Sequence, residues 1–593
     1  MENVGWQVYL VIAVITLLLI GLWKEWLRPT IMFLVCVVIF NIAGILKPRE
    51  LLDGFANEQI AVVIMLVILG DVIQRTGVLD ALFYRLFMKY KTFKGFLGRM
   101  MAFVGITSAF LNNTPIVAIL IPYVNEWAKR NHVSPSKLLI PLSYLTIVGG
   151  MITLIGTSTN LIASGILVEN KQPPLSFFSF TPVGIPVFIA IWIYFYFFGH
   201  KLLPDRKPAV TEFKEQARNY LTEYRITKNS PLAGKSIEES GLRHLEDVFL
   251  VEILRDHQRL AAPEPSEILQ HGDRLVFAGK TSGIARLLET IPGLEPATLE
   301  TEALNGNIRL RECVIPYNSN LVGKKVNESD FRAQFDAAIV GVHRNGVILQ
   351  GSIGEMVLQN GDLLLVIAGG DFESLTKDKA DIYVLPGIKE VRQVDRKKVT
   401  VLTGLVLAAI LVGAVGILPL FQSLLVTFCL LLLLKVITVK ELRKGLDLDL
   451  LAILAFSLAT GKAIGNSGAA NLFAQGIVNL TSPLGIVGIM LGLYIVTNFL
   501  TNIMANAASV AITLPIAIAA AATLGNPSLI TPFALAIAFA GSAAFLTPIG
   551  YQTNMMVFGP GSYKFSDYFK AGWPVTIIYG GLTILIISIL YGL

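Results

Sequence analysis

The chain has 593 residues, 54% of them hydrophobic and only 15% charged. Soluble proteins carry nearer a quarter charged residues, so composition excludes an ordinary soluble enzyme and points to a membrane protein. The net charge of +6 is modest. Its basic residues sit largely in short loops, which fits membrane topology better than nucleic-acid binding.

Tyr9 to Trp23, Ile31 to Leu46, Val399 to Leu420 and Ile577 to Leu593 are long apolar runs. Runs of about 18 to 20 such residues read as membrane-spanning helices. The first is expected to be a retained helix rather than a secretory signal. Glu2 stands where a basic region is needed, and no small-residue cleavage site follows. The loops hold Lys24 and Arg28; Lys89, Lys91, Lys94 and Arg99; Lys129 and Arg130; and Lys435, Lys440, Arg443 and Lys444. Cys36, Cys313 and Cys429 lie far apart and form no CxxC or Cys/His cluster. Neither a zinc site nor a disulfide framework is expected.

Two strings interrupt the first apolar half: Leu111-Asn112-Asn113-Thr114-Pro115, and Thr153-Leu154-Ile155-Gly156-Thr157-Ser158-Thr159-Asn160. Asn prefers caps and turns to helix interiors, and Pro115 denies a backbone N–H. The expected outcome is a re-entrant hairpin tip followed by a second, Gly-broken helix.

Hydrophobicity stops near His200 and resumes near Val399. The block from about 205 to 395 is bounded by Lys201, Asp205, Arg206 and Lys207 and by Arg392, Asp395, Arg396, Lys397 and Lys398. Basic flanks on both sides place it in the cytoplasm. It is itself a repeat: Ser230-Pro-Leu-Ala-Gly234-Lys235 returns as Ser319-Asn-Leu-Val-Gly323-Lys324, and Gly272-Asp273 returns as Gly361-Asp362, both offset by 89 positions. Val248 to Leu254, Arg274 to Gly279, Ala338 to His343 and Leu363 to Gly369 read as strands. These units resemble the C-terminal lobes of RCK/TrkA potassium-regulatory modules, over about 218–288 and 307–377. No GxGxxG follows a strand, so the nucleotide-binding lobe of that family is not expected. Lys280-Thr281 is no phosphate loop, because Arg274 occupies the position that needs glycine.

The second apolar half repeats the landmarks of the first. Gly54, Gly70 and Gly77 have the spacings 16 and 7, as do Gly445, Gly461 and Gly468. Asn113 precedes Pro122 by nine and Asn506 precedes Pro515 by nine; Ser108 and Thr501 each lie five before those Asn residues. Thr547-Pro548-Ile549-Gly550-Tyr551-Gln552-Thr553-Asn554 then echoes the string at Gly156, and Gly572-Trp-Pro574 echoes Gly184-Ile-Pro186. The fold class is therefore a membrane all-α transporter with two repeated halves, expected to be inverted, plus a cytoplasmic α/β tandem insert. Its parts are 1–204, 205–300, 301–395 and 396–593.

Broken helices offer N-terminal N–H groups to an anion, and unwound carbonyls with Asn, Ser and Thr oxygens to Na⁺. Neither recess carries Lys, Arg, Asp or Glu. Proton coupling ordinarily uses an intramembrane carboxylate or His, so Na⁺ is the expected coupled ion. A lone Asn often serves only helix packing. Two Asn-containing strings repeated in register within each half are not accounted for that way.

These residues resemble the divalent anion/Na⁺ symporter family, which has a Ser-Asn-Thr hairpin tip and a Gly-Thr-Pro-Pro-Asn-like break in each half. The tips align with Asn112-Asn113-Thr114 and Ala505-Asn506-Ala507, and the breaks with Gly156 to Asn160 and Gly550 to Asn554. The resemblance implies Na⁺ ligands at Ser108, Asn113 and Gly156 and at Thr501, Asn506 and Gly550. It implies anion contacts at Asn112, Asn113, Thr114, Thr157, Ser158, Asn506, Ala507, Tyr551, Gln552 and Thr553. It further implies a homodimer in the lipid bilayer of the plasma (inner) membrane and elevator-like alternating access. Ala507 in place of Thr and Tyr551-Gln552 in place of Pro-Pro remove dicarboxylate-type contacts, so the expected cargo is a compact oxyanion, sulfate above all. A dicarboxylate or another oxyanion is the alternative. The insert is expected to regulate transport or aid assembly, with a regulatory ligand left open. A potassium filter would need a TVGYG-like run in fourfold array, and here Gln552 follows Tyr551. No nucleophile–base pair or metal cluster suggests an enzyme.

Overall fold

In this computed structural model the described residues are 5–593, apart from 25, 28, 78–81, 84–86, 88–89, 207–220, 229, 243–247, 256–257, 262, 264–265, 280–292, 298–309, 317–318, 345–346, 350–352, 377–380, 386–395, 447 and 505. Lys207, Arg392, Asp395, Lys280, Thr281, Lys89, Arg28 and Ala505 lie outside the described residues.

Among the described residues, six helical stretches are long and apolar enough to cross a membrane: Pro48–Ile73, Lys398–Val415, Leu448–Asn466, Ala469–Thr501, Asn506–Thr523 and Phe565–Tyr591. Shorter apolar helices accompany them, including Trp6–Leu22, Pro29–Ile42 and Thr181–Phe197. Helices satisfy every backbone polar group internally, which is what such apolar runs require in lipid. Two apolar runs end earlier than their composition implies. One helix stops at Ile42, before Gly44, and another at Val415, before Gly416; both glycines take the left-handed backbone that ends a helix.

Helices from the two ends of the chain pack together. Thr181–Phe197 lies against Phe565–Tyr591, Ser158–Glu169 against Asn506–Thr523, and Gln552–Phe558 against Asn113–Arg130. Gly184 and Gly572 permit matching close approaches: an added Cβ would stand 2.5 Å from Met151 O and 2.1 Å from Phe545 O respectively.

The intervening block folds as two antiparallel sheets of five strands. The first has β1 (Leu221–Ile226), β2 (Val248–Arg255), β3 (Gln258–Ala261), β4 (Arg274–Gly279) and β5 (Leu294–Ala297), in the order β3-β2-β4-β1-β5. The second has β6 (Leu310–Val314), β7 (Ala337–Arg344), β8 (Val347–Ile348), β9 (Leu363–Ala368) and β10 (Tyr383–Leu385), in the order β10-β6-β9-β7-β8. Read from the other edge, this is the same order five strands later. The match extends to irregularities: β2 bulges between Leu250 and Glu252, and β7 between Ile339 and Gly341. Arg255 grips Asp273, and Arg344 grips Asp362.

Arg332 joins the sheets by donating to Pro263 O and Leu250 O. Arg206, just before the block, pairs with Asp567 on the last helix at 2.7 Å. The four expected strands are present as β2, β4, β7 and β9, the last ending at Ala368, one residue short of the expectation. The described helices of the second unit are short, at Phe331–Phe335 and Phe372–Thr376.

Candidate ion and anion site

Both polar strings sit where helices stop and restart. Phe93–Ser108 ends, Asn112 caps the next helix by accepting from Thr114 N–H at 3.5 Å, and Asn113–Arg130 begins. In the other half Gly485–Thr501 ends and Asn506–Thr523 begins. The second breaks lie between Leu139–Gly150 and Ser158–Glu169, and between Ile530–Ser542 and Gln552–Phe558.

The backbone around the two breaks is held by matched bonds. Thr153 Oγ1 donates to Ala109 O, and Thr547 Oγ1 donates to Asn502 O. Asn160 Nδ2 donates to Thr153 O and Gly150 O; Asn554 Nδ2 donates to Thr547 O and Ala544 O. Each Asn ties its broken helix back onto the strand of chain that precedes it. Asn160 and Asn554 are fully buried, where leaving an amide unpaired would cost about 1–3 kcal/mol.

Next to each break lies a group of oxygens with too few hydrogens. Ser108 Oγ meets Asn113 Oδ1 and, at 2.6 Å, Thr146 O. Thr501 Oγ1 meets Asn506 Oδ1 at 2.9 Å and Gly541 O at 2.5 Å. One hydroxyl hydrogen thus stands before two acceptors in each half. Gly156 lies against Gly150 O and Ser108 O, where an added Cβ would stand 2.4 and 2.8 Å away; Gly550 lies against Thr501 O, 3.1 Å from such a Cβ. A hard monovalent cation suits this donor set, because it replaces the missing hydrogens with positive charge. Ser108, Asn113 and Gly156 are thus brought together, as are Thr501, Asn506 and Gly550.

The predicted anion contacts meet across the halves. Asn113 Nδ2 donates to Tyr551 Oη at 2.6 Å, and Tyr551 Oη lies 3.4 Å from Thr157 Oγ1. Thr114 Oγ1 donates to Gln552 Oε1 at 3.0 Å. Ser158 opens the Ser158–Glu169 helix beside them. Thr553 faces elsewhere: it is buried and accepts from Ser143 Oγ at 2.9 Å. Asn112 is exposed and acts as a cap, and Ala507 is buried without a polar group to offer.

The citrate transporter family matches residues 11–538. The chain belongs to this family. A putative sulfur deprivation response regulator of Chlamydomonas reinhardtii is 32% identical over 91% of this chain and 94% of its own length. An uncharacterized transporter of Synechocystis sp. is 31% identical over 99% of this chain and 98% of its own. The similarity extends to a probable sodium/sulfate cotransporter of Chlamydomonas reinhardtii, 23% identical over 97% of this chain and 88% of that protein.

In this citrate transporter family member, sequence reasoning missed the carbonyls of Thr146 and Gly541, the Thr159–Ser542 hydroxyl pair at 2.6 Å, and Tyr383, which accepts from Gln552 Nε2 at 2.6 Å. Carbonyls leave no mark in a sequence. Thr159 and Ser542 carry only the weak signal of hydroxyls in apolar runs.

Proposed function

We propose that the chain is a secondary transporter that couples Na⁺ to the uptake of a divalent oxyanion, most closely fitting sulfate. The observation that carries this reading is the pair of hydrogen-poor oxygen groups at Ser108–Asn113 and Thr501–Asn506. Each suits Na⁺. Beside them, Asn113, Thr114, Thr157, Tyr551 and Gln552 supply the N–H and O–H groups that an oxyanion accepts. The names of relatives as sodium/sulfate cotransporters support the same choice.

On this reading the polar strings are two re-entrant tips and two helix breaks of inverted halves, working as the divalent anion/Na⁺ symporters do. The protein is a homodimer in the plasma (inner) membrane and moves its cargo by an elevator-like shift. Residues 205–300 and 301–395 are RCK/TrkA C-lobe-like domains in the cytoplasm. A citrate or dicarboxylate cargo is the second reading, favoured by the family's description. Against it, Tyr551 Oη bridges Asn113 and Thr157, bulk that disfavours the larger carboxylates more than a compact anion.

Uptake of ³⁵S-sulfate into proteoliposomes, with and without an inward Na⁺ gradient, tests the proposal. Gradient-dependent uptake blocked by thiosulfate but not by citrate is expected. Equal uptake in both conditions sinks the symport, and citrate competition at low concentration transfers the case to the second reading.

A further inference from the structure

One row of residues crosses the second sheet. Tyr383 on β10 is in register with Val314 on β6, Val314 with Leu363 on β9, and Leu363 with His343 on β7. Register partners point to the same face. Val314 and Leu363 are buried in one cluster with the membrane helices, whereas Cys313 and Leu364, pointing the other way, are buried within the sheet unit. This row is therefore the face that docks on the membrane part.

The docking lands on one short helix and its end, Gln552–Phe558 and Gly559. Leu363 lies against Gly559, so closely that an added Cβ there would stand 2.8 Å from the Leu363 Cβ. Gly361 adjoins Met555 and Phe558. At the near end Tyr383 Oη accepts from Gln552 Nε2 at 2.6 Å.

Gln552 is consequently engaged at both ends of its amide. Its Oε1 accepts the Thr114 hydroxyl at 3.0 Å while its Nε2 serves Tyr383. An oxyanion only accepts hydrogen bonds. The one hydroxyl hydrogen of Thr114 and an amide hydrogen of Gln552 are thus spent inside the protein. We propose that the second sheet is a built-in competitor for the anion site. Tyr383 holds Gln552 and Thr114 in a mutually satisfied pair, and it must release Gln552 before both turn to a bound anion. The inference rests on the reading of the site given above. It makes the sheet an autoinhibitory wall, whose lifting raises affinity.

Equilibrium binding of ³⁵S-sulfate to the purified full chain in Na⁺ tests it. Tyr383→Phe keeps the ring and removes the hydroxyl; a tightening of about fivefold is expected, the worth of one neutral hydrogen bond. Gly559→Leu forces Leu363, and with it the sheet, off the end of the Gln552–Phe558 helix without changing Tyr383 or Gln552, and shifts affinity in the same direction. Unchanged or weaker binding by a folded Tyr383→Phe overturns the inference, whatever Gly559→Leu does. A second measurement needs no anion. In a chain with Cys36, Cys313 and Cys429 replaced by Ser, Thr157→Cys is labelled by a soluble thiol reagent. Adding Tyr383→Ala should raise the labelling rate several-fold. Equal rates overturn the inference, whereas faster labelling in a protein that binds no sulfate sinks the sulfate reading and leaves the wall standing.

Discussion

Ser108 and Thr501 decide whether the oxygen groups are ion sites or only helix joints. Each carries one hydrogen toward two oxygens. Removing the hydroxyl of a joint costs stability; removing a ligand costs ion affinity. Ser108→Ala is expected to raise the Na⁺ concentration for half-maximal uptake about tenfold, a loss of about 1.4 kcal/mol. Thr159→Ala breaks the bond to Ser542 across the halves. It should lower thermal stability by about 1 kcal/mol and leave Na⁺ dependence alone. Na⁺ titrations and melting curves of both variants check this, and a wild-type Na⁺ profile for Ser108→Ala rejects the ligand assignment. The helix breaks at Asn113, Asn506, Gly156 and Gly550 were legible in the sequence, because polar helix-breaking residues in apolar runs need a reason. Thr553 was expected among the anion contacts, whereas its hydroxyl is bonded to Ser143. Tyr551 is extended backbone before the Gln552–Phe558 helix; within the helix, about 100° of rotation separates Gln552 from Thr553, and the Thr553 hydroxyl is turned to Ser143.

At the scale of elements, the tandem insert was the most legible part. An offset of 89 positions in the sequence becomes two sheets with the same strand order and a bulge at the same place in β2 and β7. Its docking was not legible, because β10 is three residues long and the contact of Tyr383 with Gln552 joins positions 169 apart. On β7, in the docking row, His343 is buried with both ring nitrogens unpartnered. Burial, with Arg206 adding repulsion, pulls its pKa from 6.5 down to about 4. The unfolded chain takes up this proton near 6.5 and the folded one near 4. Stability from the neutral ring is therefore complete above about pH 6.5 and lost as pH falls through about 4. The whole window is worth about 3 kcal/mol. Melting of the full chain between pH 7.5 and 4.5 should show this loss in the transition that unfolds the second sheet. His343→Phe should flatten it, and an identical slope in the variant would assign the loss to other groups.

Over the whole molecule, the halves meet through polar side chains of the candidate site, Asn113 with Tyr551 and Thr114 with Gln552, and through the Ser143–Thr553 pair outside it. Asn113 faces two ways. Its Oδ1 points into the Ser108 oxygen group and its Nδ2 points across to Tyr551. A cation at Oδ1 draws charge from the amide and makes Nδ2 a better donor; an anion at Nδ2 makes Oδ1 a better ligand. Na⁺ and the anion should therefore bind cooperatively. Linkage makes the coupling reciprocal, with a magnitude of about 1–3 kcal/mol in typical cases. Sulfate affinity measured across a Na⁺ series, and Na⁺ affinity across a sulfate series, should give one shared factor, on the order of 10. Asn113→Ala cuts the amide that joins the two ligands, so the factor should fall toward one while residual binding of each ligand persists. The same factor in wild type and variant would mean that the ligands communicate by another route. Independent binding in the wild type would mean that one amide does not serve both, and a gradient of Na⁺ would then have no purchase on the anion through this residue.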